Sequence, residues 1–162
     1  MKRIYVYGLL AAMIWACKPD VTERNIGDPY DLTEGINGSW EVSKVQVTDL
    51  SLPVPEQRDI SEYYLGQSQL LGIDFNSEDN SYTVQNAALP GSPFGAGGTY
   101  RFQINEQGFT TGLQMVTSSG QDTLNLNLLN MVRSIDPVMG FSDTRSACGE
   151  SYASYQYTFK RK

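Results

Sequence analysis

Between Gly38 and Lys162, apolar and polar residues alternate with a period near two, and clusters of Gly, Asn, Asp and Ser interrupt the alternation at short intervals. That pattern predicts an antiparallel β meander. The first strand, Ser39 to Val47, places Trp40 and Val42 on one face and then changes phase to Val45 and Val47, as a bulge or strong twist requires. Leu71, Ile73 and Phe75 share a face of the second strand, and the turn Asn76 to Ser81 leads into Tyr82 and Val84. Tyr100, Phe102 and Ile104 then alternate with Arg101 and Gln103. The turn Asn105 to Gly108 precedes Phe109 to Val116, and Ser118 to Asp122 turns the chain into Leu124, Leu126 and Leu128. The chain closes with Tyr155, Tyr157 and Phe159 between Gln156, Thr158 and Lys160. Seven strands follow, with an eighth around Val138 to Phe141. Trp40, Val42, Ile73, Phe75, Tyr82, Val84, Phe102, Leu126, Tyr157 and Phe159 are expected to face inward.

One segment carries a helical pattern. Within Pro55 to Leu65, Ile60, Tyr63 and Tyr64 share a helical face, and Gly66 supplies a stop. One or two turns are expected, lying across an open end of the sheet. Seven or eight sequential strands with short turns predict an all-β, antiparallel up-and-down barrel with one short helix, because closure removes exposed edges. A two-sheet Greek-key sandwich competes, but it needs longer crossings.

The N-terminus has a different character. Lys2 and Arg3 precede an uncharged run from Ile4 to Ala16 that is too short to span a bilayer, which takes about 20 residues, and suits the core of a signal peptide. Its end, Ile14-Trp15-Ala16-Cys17, resembles the bacterial lipobox. The resemblance implies a signal peptide over 1–16, lipid attachment at Cys17 and an outer-membrane protein whose side of the membrane is undetermined. An ordinary secretory signal containing a cysteine is the plainer alternative. Residues 17–36, rich in Pro, Gly, Asp, Glu, Thr and Asn without apolar periodicity, read as a flexible tether, and 37–162 as one barrel domain.

Composition narrows the chemistry. With 12 Lys and Arg against 18 Asp and Glu, the net charge is −6, which argues against nucleic acid or an anionic membrane face as partner. The sole basic cluster is Lys160-Arg161-Lys162. The chain has no histidine, which removes Ser-His-Asp and Cys-His catalysis and His-ligated zinc. Cys148 is left without a disulfide partner if Cys17 carries lipid, and no histidine is present to activate it as a nucleophile; a Cys17–Cys148 disulfide is the alternative. The acidic turn Asp74 to Asn80 lacks the glycine and distal glutamate of a calcium loop and reads as a hairpin turn. Pro90 to Gly98 is glycine-rich but has no Lys and precedes no helix, so it is not a phosphate cradle. No cofactor or metal is expected.

Taken in order, Leu32 to Val42 with its Gly38-Ser-Trp40, Ile73-Asp-Phe75-Asn before Tyr82-Thr-Val84, Gly98-Thr-Tyr100-Arg-Phe102 and the closing Tyr155-Gln-Tyr-Thr-Phe159 resemble the lipocalin-like domains of unknown function found in lipoproteins of Bacteroidetes. The similarity spans residues 32–162. It implies a barrel or half-barrel whose closed end is plugged by Trp40, and it implies no catalytic residues.

The candidate ligand mouth consists of Tyr63, Tyr64, Phe94, Met139 and Phe141, contributed by the 55–65 segment, the loop around Phe94 and the poorly patterned stretch Met131 to Glu150. The functional expectation is a non-catalytic binding or accessory module for a small apolar or sugar-like ligand, or for an envelope protein. The competing class is a carboxylate-only glycan hydrolase, for which Asp59 and Glu62 are the carboxylates near the tyrosines.

Overall fold

The computed structural model describes residues 32–66, 70–88, 92–120, 122–130 and 132–162; only the backbone of residues 32 and 33 is described. After a short helix α1 (Leu32–Ile36), the strands run β1 (Gly38–Asp49), β2 (Glu56–Asp59), β3 (Gly72–Asn76), β4 (Ser81–Gln85), β5 (Gly97–Ile104), β6 (Thr110–Thr117), β7 (Thr123–Leu128), β8 (Val138–Ala147) and β9 (Glu150–Arg161), with a second helix α2 (Ser61–Leu65) between β2 and β3. Pairing follows β2-β1-β3-β4-β5-β6-β7-β8-β9, every pair antiparallel, and β9 returns to β1. Eight strands thus close a lipocalin-like up-and-down barrel, and β2 is an addition outside the ring.

Alternation sets the interior. Trp40, Val42, Val45, Ile73, Leu113, Met115, Leu126, Met139, Phe141, Tyr157 and Phe159 are fully buried and form the packed interior. Of the expected inward residues, Val84 and Phe102 are only partly buried, packing on the edge of this core. The change of phase in β1 is a bulge: register against β9 slips between Val42 and Lys44, and the Ser43 hydroxyl donates to the Thr158 carbonyl at 3.1 Å.

The two ends close differently. At the end where β1 begins, the Trp40 indole donates to the Ile36 carbonyl at 2.7 Å, and the Arg161 guanidinium lies 4.4 Å over the indole ring. Arg161 also donates to the Gly35 and Asn37 carbonyls, binding α1 to the last strand. Residues 32–36, read from composition as the end of a tether, are therefore a helix seated on the barrel with Ile36 buried. At the other end, Phe94 enters the barrel from the 92–96 loop, its ring centroid 5.1 Å from that of Tyr157, and its carbonyl accepts the Tyr82 hydroxyl.

Two expectations are corrected. The helix expected over Pro55–Leu65 is split: Glu56–Asp59 is a strand on the edge of β1, and the helix starts only at Ser61. The Ile60 amide donates to the Val45 carbonyl, and the Asp59 carboxylate accepts the Ser61 amide, so the sheet holds the chain until that point. Half of the stretch Met131 to Glu150 is β8, which contains the eighth strand expected around Val138 to Phe141 and runs on to Ala147; its two-residue turn to β9 uses positive φ at Cys148 (53°) and Gly149 (88°).

Candidate functional site

The expected mouth does not assemble. Cys17 lies outside the described residues. Met139 and Phe141 lie in the first half of β8 and are fully buried; they are core because β8 continues the alternation of its neighbours instead of looping out. Phe94 is fully buried and fills the barrel rather than lining an opening. Tyr64 is also buried, edge-on to Tyr157 at 6.3 Å between centroids, while Tyr63 points away from the barrel and is 74% exposed. Residues 129, 130 and 132–137 belong to the opposite end, beside α1, so they cannot join Tyr64 and Phe94. Asp59 and Glu62 do not face one another across a cleft: Asp59 holds the Ser61 amide at the start of α2, and Glu62 is exposed.

A different site stands above this filled end. β3 pairs with β1 only over Gly38–Glu41, so the rest of β1 runs past it, and β2 takes over that edge at Gln46–Asp49. On the far side, β7 and β8 share only two register pairs, Asn127 with Ser142 and Leu128 with Phe141. The C-terminal half of β8 therefore leaves β7, and β2-β1-β9-β8 continue as a four-stranded shelf.

Register fixes which side chains line it, because cross-strand partners share a face. Arg58, Val47, Tyr155 and Asp143 form one row across the four strands; Glu56, Asp49, Ala153 and Arg145 form the next. Most of these residues, with Ser51 and Tyr152, line a groove of about 310 Å³. Its floor is the apolar strip Val47, Ala153 and Tyr155, and ion pairs flank it. Arg58 forms a two-pronged pair with Glu56 at 3.0–3.1 Å, and Arg145 reaches Asp143 at 3.6 Å while lying 4.3 Å over the Tyr155 ring. Leu52, Val54, Tyr63, Leu65 and Tyr152 are exposed around the same end.

The electrostatics favour binding over proton transfer. Asp49 accepts both the Ser51 hydroxyl (2.6 Å) and amide (2.9 Å), which hold its carboxyl below the usual range. The Arg58 guanidinium does the same for Glu56. Both are ionised near neutral pH. Beneath them burial pushes the Tyr157 phenol far above its ordinary range, so it is a neutral lid over the core. Among the described residues no group of three or more Asp, Glu, Cys or His is placed to hold a metal.

Sequence reasoning missed Asp49, Glu56, Arg58, Tyr152 and Tyr155 as site residues. A faint signal existed: the charged run Glu56-Gln-Arg-Asp59 after two prolines has the composition of a protected edge strand. Comparison with known protein families, characterised proteins and solved structures finds no match to the chain.

Proposed function

We propose that this protein is a lipid-anchored envelope module without catalytic activity, tethered to the outer membrane through Cys17, that holds an envelope protein on the shelf formed by β2, β1, β9 and β8. The carrying observation is the pairing of a filled barrel with an open, amphipathic groove at one end. Phe94 and Tyr64 occupy the space an interior ligand would need, which turns the reading away from a small apolar ligand. The groove supplies what a protein segment needs: an apolar floor with an aromatic edge, two arginines already held in place and a rim of exposed Leu, Val and Tyr.

The hydrolase reading has one observation behind it. Asp49 and Glu56 are direct partners in the β1–β2 register and line the same groove. Glycoside hydrolysis, however, needs one carboxyl held protonated as the acid, and hydrogen bonding depresses both of these. Binding is the stronger reading.

A photoreactive amino acid placed at Tyr152, and at Gln114 on the barrel waist as control, tests it in living cells. The expected result is one cross-linked envelope protein from position 152, lost when Arg58→Glu and Tyr155→Ala are added. No adduct, or the same adduct from position 114, would overturn the proposal. Glycan cleavage lost in Asp49→Asn or Glu56→Gln would restore the hydrolase.

A further inference from the structure

Every strongly exposed large apolar side chain among the described residues lies at one end of the barrel or the other. Five are near the groove. The other five, Ile104, Phe109, Leu129, Ile135 and Val138, are at the closed end, and they form a continuous arc. Ile104 pairs with Thr110, next to Phe109, and the Asn105 amide donates to the Phe109 carbonyl across the same turn. Carrying the β6–β7 register two residues beyond Gly112 and Asn127 sets Thr110 opposite Leu129. The Leu129 amide then donates to Gly140, two positions from Val138, and Ile135 lies in the turn closed by the Arg133–Asp136 ion pair.

The chain enters the barrel beside this arc. Gly35 of α1 backs so closely on Val132 and Arg133 that a Cβ there would sit 1.8 Å from the Val132 carbonyl oxygen. We propose that the arc Ile104, Phe109, Leu129, Ile135 and Val138 rests in the headgroup layer of the membrane that carries the lipid anchor. This rests on the lipid-anchor reading above, and it assigns a face to it. Cys17 precedes α1 by roughly 15 residues in the sequence. A 12-residue strand such as β1 is itself about 40 Å long. The anchor-bearing chain thus joins the domain at the closed end, where Arg161 holds α1, and the groove lies about the length of a strand away. The chemistry of the rim suits the interface: bulky apolar side chains point outward, and Lys160, the register partner of Val138, is exposed and long enough to reach lipid phosphates. Glu106 is the sole carboxylate in the 104–109 turn and sits at its exposed tip.

The test uses the lipidated protein in net-neutral vesicles of phosphatidylethanolamine and phosphatidylcholine, with a photoreactive group on the acyl chain close to the glycerol. Labelled peptides are mapped by mass spectrometry, and the mass of the N-terminal peptide reports lipid on Cys17 separately. Labelling should concentrate on 104–109 and 129–138 and spare Leu52, Val54 and Tyr63. It should fall at least about tenfold in Ile104→Asp/Phe109→Asp/Ile135→Asp, whose exposed positions leave the fold intact by circular dichroism. Absent labelling, stronger labelling at the groove end, or cross-links from the rim to a second copy would each overturn the membrane-facing rim. An N-terminal peptide without lipid mass would refute the anchor alone, since rim labelling is scored independently.

Discussion

At the residue scale, the fold depends on a few side chains that each close something. Trp40 closes the barrel where β1 begins, with its indole N–H satisfied by Ile36 and its ring covered by Arg161. Trp40→Ala should cost about 3 to 5 kcal/mol in urea unfolding, because the cavity cannot collapse between α1 and β9. A loss below about 1 kcal/mol would show that the ring is not the packing centre described. Phe94 does the same work at the opposite end from a loop. Phe94→Ala should cost a similar amount and leave an apolar hollow beside Tyr157 and Phe159, read as new binding of a small aromatic probe such as benzene. Without new probe binding, the Phe94 site must collapse or be bordered by other side chains.

At the element scale, the ring of strands is unequally fastened. β1 and β9 share nine register pairs, while β7 and β8 share two. The C-terminal half of β8 is paired along one edge only among the described residues, by β9. Amide hydrogen exchange should therefore be slowest across β1 and β9 and fastest, within the barrel strands, at the β8 amides that face β7 between Asp143 and Ala147. Uniform protection around the ring would contradict the parting of β7 from β8, and with it the shelf. β2 is the element that makes the shelf wide enough to hold a groove. Its four residues are all exposed, and the Arg58–Glu56 pair can add only a fraction of a kcal/mol, so β2 is held by its ladder to β1.

At the scale of the whole molecule, the absence of histidine shapes the response to pH. Tyr64, Tyr82, Tyr100 and Tyr157 are pushed above the ordinary phenol range by burial. Their neutral forms belong to the folded state, so their contribution is complete below the unfolded value near 10 and is lost as pH rises beyond it. Asp49, Glu56, Asp59, Asp79 and Asp136 shift the other way, held low by Ser51, Arg58, Ser61, Ser81 and Arg133 respectively. What they contribute is present above the unfolded carboxylate values near 4 and disappears as pH falls below them. The melting temperature should be flat between about pH 5 and pH 9 and should fall on both sides; a step between pH 6 and 8 would contradict this account. Anchoring belongs to the same scale. Cys17→Ala should leave unprocessed precursor without lipid mass, and a variant that fractionates like wild type would refute the lipid anchor.

Sequence alone determined the all-β class, the meander order and most of the inward residues, because alternation is a local property and each strand carries its own. Trp40, Val42, Ile73, Phe75, Tyr82, Leu126, Tyr157 and Phe159 could be read without knowing their partners. So could the bulge after Val42, since a phase change is visible in one strand. Tertiary structure decided the rest. Glu56–Asp59 has no strand pattern of its own and becomes one only because β1 outruns β3 and offers a free edge. Met139 and Phe141 read both as part of an eighth strand around Val138 to Phe141 and as part of the mouth, because Gly140 and a polar run blur the period; pairing with β9 extends the strand to Ala147 and buries both side chains. Phe94 looked like a lip of the mouth, yet it fills the barrel, because a loop side chain can turn inward wherever the ring leaves space. The groove exists in no segment of the chain: its rows run from Arg58 to Asp143 across four strands, and only register brings residues so far apart onto one face.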